Sequence, residues 1–273
     1  MNRSEFETAV RARLSDESNS FFRFLCLEET DSTNNSAAAE AAAGTAEGLV
    51  VVAGKQTAGK GSRGRSFLSA SPRGLYFSVV LRPEKLPPPS AVKITAAAGV
   101  CVCNALERCG TPPAFIKWVN DVYMNGKKIC GILTEGSFSA DGRLQTVICG
   151  IGINLAAPDG GFPPEIAATA GAAFATADEA ERQRAAVLAA ALESLRTQYL
   201  SLQRTGKTGS EEEYRRRSLL IGRTVTVTRQ NGTAETATVT DIDTECRLCV
   251  RWDATGLEET LIGGDVTLHG IRF

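Results

Sequence analysis

The chain has 273 residues, 43% of them hydrophobic and 22% charged, which is the composition of a globular protein with a sizeable core. The formal net charge is -1, so no overall field attracts nucleic acid or an anionic membrane, and an anion must bind through locally placed cations. The first residues are polar without a signal-peptide pattern, and no apolar run approaches the roughly 20 residues of a membrane span. We expect a cytoplasmic protein without a membrane partner.

Strands and helices are mixed through the first two thirds of the chain. In chain order we predict a strand at 21–29, a helix at 31–44, strands at 49–56 and 74–82, a helix at 91–109, strands at 115–119, 128–138 and 143–155, and Ala-rich helices within 165–218. The helix at 31–44 starts on Asp, Ser and Thr, which favour N-caps, and stops at Gly44. The dipeptide Asn125–Gly126 is typical of a hairpin turn and is predicted to join the strands at 115–119 and 128–138.

The pattern changes near residue 222. Short strand-like segments follow one another, separated by Asn-Gly, acidic and Gly turns, which predicts a small SH3-like β-barrel. We therefore expect an α+β fold with two domains, a mixed sheet with helices at 1–219 and the β-barrel at 220–273.

The eight cysteines lie mostly in apolar runs, which favours reduced, buried thiols. Cys246 and Cys249 form a C-x-x-C pair. No second pair accompanies it and the chain has one histidine, His269, so no structural zinc is expected.

The first candidate site is the glycine-rich stretch from Gln56 to Arg65. Its three glycines let the backbone approach a ligand closely, and Lys60, Arg63 and Arg65 offer cationic donors to an anion. The spacing is not that of a Walker A loop. A basic surface loop has the same composition, so this segment alone leaves both interpretations open.

The second candidate surrounds the turn after residue 117. Lys117 ends a predicted strand, Asn120 and Asp121 enter a turn, and Lys128 begins the next strand. A lysine on a strand has a restricted reach and suits a fixed carboxylate or phosphate, and Gly131 leaves room for a flat ligand. An edge strand protected by lysines is the alternative.

The third candidate is Gly150–Asn154, where two glycines lie inside a predicted strand. Such glycines indicate close approach of a ligand or of another backbone, and a β-bulge gives the same pattern.

Taken in order, these motifs resemble a known family. They are S-T-N at a helix start, Q-T-A-G-K-G-x-R-G-R, K-W-x-N-D, K-K-I-x-G-I-L-x-E and G-x-G-I-N, and over residues 25–155 they are similar to the biotin protein ligases (biotin–acetyl-CoA-carboxylase ligases). The resemblance implies a class II synthetase-like catalytic domain followed by a β-barrel. It also implies an enzyme that uses ATP and Mg²⁺ to convert biotin to biotinyl-5′-AMP, and then transfers biotin to a lysine of a carboxylase's biotin carrier domain.

The resemblance also implies roles for single residues. The residues expected to bind biotin are Ser32, Thr33, Asn34, Gln56, Gly59, Gly61, Ser62, Arg63, Lys128, Gly131 and Gly150. The residues expected on the ATP side are Lys60, Arg63, Arg65, Phe67, Lys117, Asn120, Asp121 and Asn154, with Asp121 also facing Mg²⁺. Lys128, Arg63 and Lys60 are expected to be catalytic, and no cysteine is expected to act as a nucleophile.

The chain departs from the family pattern at three positions. Lys60 and Ser62 stand where arginine is usual in the glycine loop, and Val119 stands where proline is common. Lys60 keeps the charge but lacks bidentate geometry. Ser62 lacks the charge, so retention of the adenylate is expected to be weaker unless Arg63 substitutes.

The resemblance also bears on the binding partners of the protein and on the alternative functions. Only 20 residues precede the first predicted strand, fewer than a winged-helix DNA-binding domain needs, so no DNA partner is expected. A monomer and a homodimer through a sheet edge both remain open.

One alternative function is that of a lipoate or octanoate ligase or transferase of the related fold, although the R-R-x-S-G-G-G-A loop is absent. The other is a nucleic-acid-binding module, which the acidic balance of the predicted barrel disfavours.

Overall fold

The computed structural model describes residues 2–69, 71–83, 86–139, 142–229, 232–262 and 265–268. Its helices are α1 (Arg3–Arg11), α2 (Asp16–Phe21), α3 (Thr33–Ala42), α4 (Ser90–Arg108), α5 (Pro164–Ala167), α6 (Ala177–Thr205) and α7 (Glu211–Arg216), and a 3-10 turn spans Ser62–Gly64. Its strands are β1 (Arg23–Thr30), β2 (Leu49–Gln56), β3 (Gly74–Leu81), β4 (Phe115–Lys117), β5 (Asp121–Met124), β6 (Lys127–Phe138), β7 (Leu144–Asn154), β8 (Thr224–Thr228), β9 (Ala234–Ile242), β10 (Leu248–Trp252), β11 (Glu258–Leu261) and β12 (Asp265–Leu268).

The larger sheet has seven strands in the order β1-β2-β3-β7-β6-β5-β4. Among the strands that the structure describes, β1 and β2 pair in parallel and the other neighbours pair antiparallel, so the sheet is mixed, as predicted. Strand β2 is buried on both faces: Leu49 and Val51 belong to the cluster under α3, whereas Val50 and Val52 join the main core. Side chains alternate along a strand, so α3 covers one face and the main core fills the other.

Helix α4 is the central helix of that main core, where it packs against α6. By length and composition it is apolar enough to cross a membrane, but 78% of its most apolar 18-residue segment is buried inside the protein. The prediction that no apolar run approaches the length of a membrane span is therefore wrong for α4. The apolar residues of α4 pack in the hydrophobic core of the protein.

The region around Asn125 contains three strands where two were predicted. Asn125 and Gly126 have φ of 48° and 76°, the left-handed conformation that a tight hairpin turn needs. This turn joins β5 to β6, and β5 in turn pairs with β4. The sequence prediction missed β5 because it is four residues long and begins at Asp121, a residue typical of turns.

The C-terminal strands form a five-stranded antiparallel sheet in the order β11-β10-β9-β8-β12. The predicted barrel is not closed: in the residues described, β11 pairs only with β10 and β12 only with β8. Closure requires the two edge strands to pair, and these two strands are four residues each. The expected boundary at 219/220 lies between α7 and β8.

Among the polar contacts that connect the C-terminal sheet to the rest of the protein, two involve the loop between β9 and β10. The Trp118 indole Nε1 donates to the carbonyl oxygen of Cys246 at 2.9 Å. The ammonium of Lys93 on α4 lies 2.7 Å from a carboxylate oxygen of Glu245. Trp118 is buried, so this packing holds the turn between β4 and β5 against the second sheet.

Candidate active site

One wall of the site is built where α3 begins beside the end of β2. Ser32, Thr33, Asn34 and Gln56 are all buried. The backbone N–H of Thr33 donates to Gln56 Oε1 at 2.7 Å, and the Thr33 hydroxyl lies 3.1 Å from the same oxygen. Ser32 is the N-cap residue, but its hydroxyl makes no capping bond. This wall therefore presents neutral hydrogen-bonding groups in a buried setting.

Asn34 is held on both sides of its amide. Its Nδ2 donates to the Leu133 carbonyl at 3.2 Å and to a Glu135 carboxylate oxygen at 2.6 Å. Its Oδ1 lies 2.6 Å from the hydroxyl of Ser78. A Cβ at Gly150 would lie 1.9 Å from Asn34 Oδ1, so only glycine fits there.

The opposite end of the site is cationic. Lys128 Nζ lies 2.7 Å from an Asp121 carboxylate oxygen, and both side chains are partly buried. The Asn120 Nδ2 donates to the Ile132 carbonyl at 2.7 Å, and the backbone carbonyl of Asn120 accepts from the Ile132 N–H at 3.0 Å. These two bonds hold the turn against β6. Lys117 also lines this end.

The glycine-rich segment folds as a hairpin over the site. Lys60 and Ser66 form a β-bridge, and the Phe67 N–H donates to the Gly59 carbonyl at 2.8 Å. The side chain of Arg65 points back along the loop, and its Nη2 lies 3.5 Å from the hydroxyl oxygen of Ser62. The side chain of Arg63 lies outside the described residues.

Phe67 occupies the space predicted for a flat ligand. Gly131 and Gly152 are direct partners across β6 and β7. Cβ atoms there would lie 3.1 Å and 2.6 Å from the Phe67 ring. The two glycines therefore leave a shallow recess in the sheet that the ring fills.

These groups surround a cavity of about 350 Å³, within the usual range for small-molecule sites. Of the residues predicted to bind biotin or ATP, all whose side chains the structure describes line this cavity except Gly59 and Asn154. Gly59 and Asn154 line an adjoining cavity of about 460 Å³, which shares Gln56, Phe67 and Lys128 with the first. Among the described residues that line the first cavity, four are cationic, Lys60, Arg65, Lys117 and Lys128, and one is acidic, Asp121. Lys128 is paired with Asp121, and Lys60 lies 3.7 Å from a carboxylate oxygen of Glu135.

The cysteines near the site are poor nucleophiles. Burial raises the pKa of the Cys149 thiol to about 12 and that of Cys130 well above its usual range, so both thiols stay protonated near neutral pH. All eight cysteines are free thiols, and five are buried. Within the described residues, no group of three or more His, Cys, Asp or Glu side chains could hold a metal ion.

Two family models match the chain. The model of the biotin/lipoate A/B protein ligase family matches residues 27–154, and that of the biotin protein ligase C-terminal domain matches residues 220–268. The chain belongs to the biotin protein ligase family. A biotin–[acetyl-CoA-carboxylase] ligase of Mycobacterium tuberculosis is 29% identical over 264 residues, which is 95% of this chain and 94% of that protein.

Other relatives match in part or in structure. The bifunctional ligase/repressor BirA of Bacillus subtilis is 42% identical over 120 residues, 44% of this chain. The match spans only about a third, 36%, of the Bacillus protein's length. A biotin protein ligase from Aquifex aeolicus, solved in complex with biotin and ATP, superimposes with a TM-score of 0.72 at 25% identity, covering 90% of this chain and 98% of that one.

Sequence reasoning missed two polar residues of the site. Ser78 is fully buried in β3, a strand buried along its whole length, and its signal was a lone serine within G-L-Y-F-S-V-V-L. Glu135 belonged to a quoted motif but received no role. Both contact Asn34, and Glu135 also lies 3.7 Å from the ammonium of Lys60. Cross-strand placement of this kind is not visible in one sequence.

Proposed function

We propose that this protein is an ATP-dependent biotin protein ligase. It converts biotin and ATP to biotinyl-5′-AMP and pyrophosphate, and then transfers biotin to a lysine of the biotin carrier domain of acetyl-CoA carboxylase or a related enzyme. The proposal places this reaction in the cytoplasm and involves no DNA. Family membership and the chemistry of the cavity support it.

The contrast between the two ends of one cavity carries the proposal. The buried end offers neutral donors and acceptors from Thr33, Asn34 and Gln56. The other end offers the cations of Lys117 and Lys128. Biotin has a neutral ureido ring at one end and a carboxylate at the other, so its polarity matches that of the cavity.

In the first half-reaction, a carboxylate oxygen of biotin attacks the α-phosphorus of ATP, and the bond to pyrophosphate breaks. The carboxylate and the triphosphate repel each other, and Lys60, Arg65 and Lys128 offset that charge as the two approach. Lys128 has three N–H donors, so it can bind the substrate carboxylate while it remains paired with Asp121.

Magnesium enters this scheme as part of Mg-ATP. Mg²⁺ usually keeps several waters and binds through one or two carboxylates together with substrate phosphates. Asp121 is the one carboxylate among the described residues that line the cavity, and a single carboxylate fits an ion that arrives with the nucleotide better than a resident one. The magnesium would neutralise part of the phosphate charge.

In the second half-reaction, the ε-amine of the carrier lysine attacks the acyl carbon of the adenylate. The bond to AMP breaks, and the amine loses a proton as the amide forms. No enzyme nucleophile is required, which agrees with the raised pKa of the buried thiols Cys130 and Cys149. The enzyme holds the adenylate and keeps it from water.

The test is a change in mass of a purified biotin carrier domain. We expect addition of one biotinyl group when protein, biotin and Mg-ATP are all present, and none when ATP is omitted. A parallel reaction supplies lipoate in place of biotin. Modification with lipoate but not with biotin would refute the proposal in favour of a lipoate ligase, and modification with neither would refute both.

A further inference from the structure

Three polar side chains are connected through Asn34, which lines the cavity. Glu135 is solvent-exposed and contacts Asn34 and, at 3.7 Å, the ammonium of Lys60, whereas Ser78 lies behind Asn34 with no solvent exposure. Ser78 is not among the residues that line the cavity. A serine in a strand that is buried throughout needs a partner, and here its partners are Asn34 and Thr33.

Glu135 determines which way the amide of Asn34 points. Oxygen and nitrogen of an Asn amide are distinguished only by their partners. An ionised carboxylate can only accept, and so can the Leu133 carbonyl. Both lie near the same amide atom, at 2.6 Å and 3.2 Å, so this atom is Nδ2. The Oδ1 of Asn34 therefore faces Ser78.

Ser78 then determines where the hydroxyl proton goes. Its oxygen lies 2.6 Å from Asn34 Oδ1 and 2.8 Å from Thr33 Oγ1, but it has one proton. Asn34 Oδ1 cannot donate, so the Ser78 proton goes there. The Thr33 hydroxyl receives no proton from Ser78 and donates its own, to Ser78 or to Gln56 Oε1. Thr33 and Asn34 thus both present oxygen lone pairs beside the cavity.

We propose that Glu135 and Ser78 are positioning residues that fix the donor and acceptor pattern of the ring-binding end. This inference rests on the proposed function, because it takes the ureido ring as the ligand. Each ureido N–H needs an acceptor, and the second lone pairs of Thr33 Oγ1 and Asn34 Oδ1 supply them. Without Glu135 the Asn34 amide is held at Nδ2 by the Leu133 carbonyl alone, at 3.2 Å, and can rotate to present its N–H₂ to a ligand donor. Without Ser78 the Asn34 Oδ1 and the Thr33 hydroxyl lose the group that lies between them.

The experiment is a double-mutant cycle on biotin affinity, measured by isothermal titration. The variants are Glu135→Ala, Ser78→Ala, Asn34→Ala and the doubles with Asn34→Ala. We expect each single change to weaken biotin binding roughly tenfold, the factor for about one misplaced hydrogen bond. In the Asn34→Ala background, Glu135→Ala and Ser78→Ala should add less than twofold, because they act through the missing amide.

Two controls match these changes in kind. Thr95→Val removes another buried hydroxyl, one that bonds to the Ala91 carbonyl and to Thr134. Glu29→Ala removes another partly exposed strand glutamate, one paired with Lys55. We expect biotin affinity in both controls to stay within twofold of wild type.

Steady-state pyrophosphate release gives a second readout. Glu135→Ala should raise KM for biotin roughly tenfold and leave kcat within twofold, because the Lys128–Asp121 pair is unchanged and the 3.7 Å ion pair between Glu135 and Lys60 joins two exposed side chains and is therefore weak. Glu135 is solvent-exposed, so this arm remains informative even if Ser78→Ala does not fold. Effects of Glu135→Ala and Asn34→Ala that simply add, or an unchanged biotin affinity in Glu135→Ala, would overturn the inference. Absence of biotin binding by the wild-type protein would instead overturn the proposed function.

Discussion

Replacement of Lys128 by alanine should nearly abolish adenylate formation while the fold is retained. The Lys128 ammonium lies 2.7 Å from Asp121 at the cationic end of the cavity, and its side chain is 33% exposed. The variant loses a charge-assisted contact to an oxygen whose charge develops in the transition state. Loss of one such donor costs about 10²–10³ in rate, or about 2.7–4 kcal/mol. The free energy of unfolding should change by less than about 1 kcal/mol, because the pair is partly solvated.

The assay is pyrophosphate release with biotin and Mg-ATP, together with thermal unfolding of each variant. Lys127→Ala is the matched control: Lys127 is the adjacent strand residue, its side chain is exposed, and its ammonium contacts the Ala167 carbonyl outside the cavity. We expect wild-type rates from Lys127→Ala. Near wild-type release by a folded Lys128→Ala protein would refute the role assigned to this lysine.

Three further predictions concern the loop and the fold. Backbone amides of residues 59–65 should gain hydrogen-exchange protection when biotin and ATP bind, because an anion orders the glycine-rich hairpin; exchange that ligands leave unchanged would contradict a lid role. Ser62→Arg should slow escape of biotinyl-AMP by roughly tenfold or more through a charge-assisted contact; equal or faster escape would indicate that Arg65, which already contacts Ser62, supplies that charge. The hydrogen bond from Arg217 lowers the pKa of Glu107, so this contribution to stability is present above the unfolded pKa of about 4.3 and is lost as pH falls through the folded pKa. Arg217→Met should flatten the acid limb of a Tm-against-pH curve, and an unaltered limb would refute that assignment.

The strength of each local signal decided how much of the fold the sequence could predict. Strand β2 was predicted with its observed bounds because L-V-V-V-A is an uninterrupted apolar run. Strand β5 was missed because its position is set by pairing with β4 and β6 rather than by its four residues. The N-terminal helices α1 and α2 were not predicted, although α1 has a capping box from Asn2 and Glu5.

The sequence could predict site residues that line the cavity, but it could not predict residues that act through another side chain. Charged and glycine-rich motifs led to the prediction of Lys128 and the segment 56–65 as site residues, and the structure brings Lys128 and several residues of that segment to one cavity. Ser78 and Glu135 escaped notice because their partner, Asn34, is 44 and 101 residues away in sequence. One sequence carries no record of that proximity, since it arises from the packing of α3 on β3, β6 and β7.

The glycines show that a strand position can require glycine because of a neighbouring side chain as well as because of a ligand. Gly131, Gly150 and Gly152 were read as places where something must approach the strand closely, and a Cβ at each would crowd or collide with a neighbour. The approaching groups belong to the protein: the Phe67 ring at Gly131 and Gly152, and the Asn34 amide at Gly150. The glycines therefore shape the site before any ligand arrives, by admitting the side chains that border it. A substitution at Gly150 would displace Asn34 from Ser78 and Glu135, and with it the hydrogen-bonding pattern of the ring-binding end.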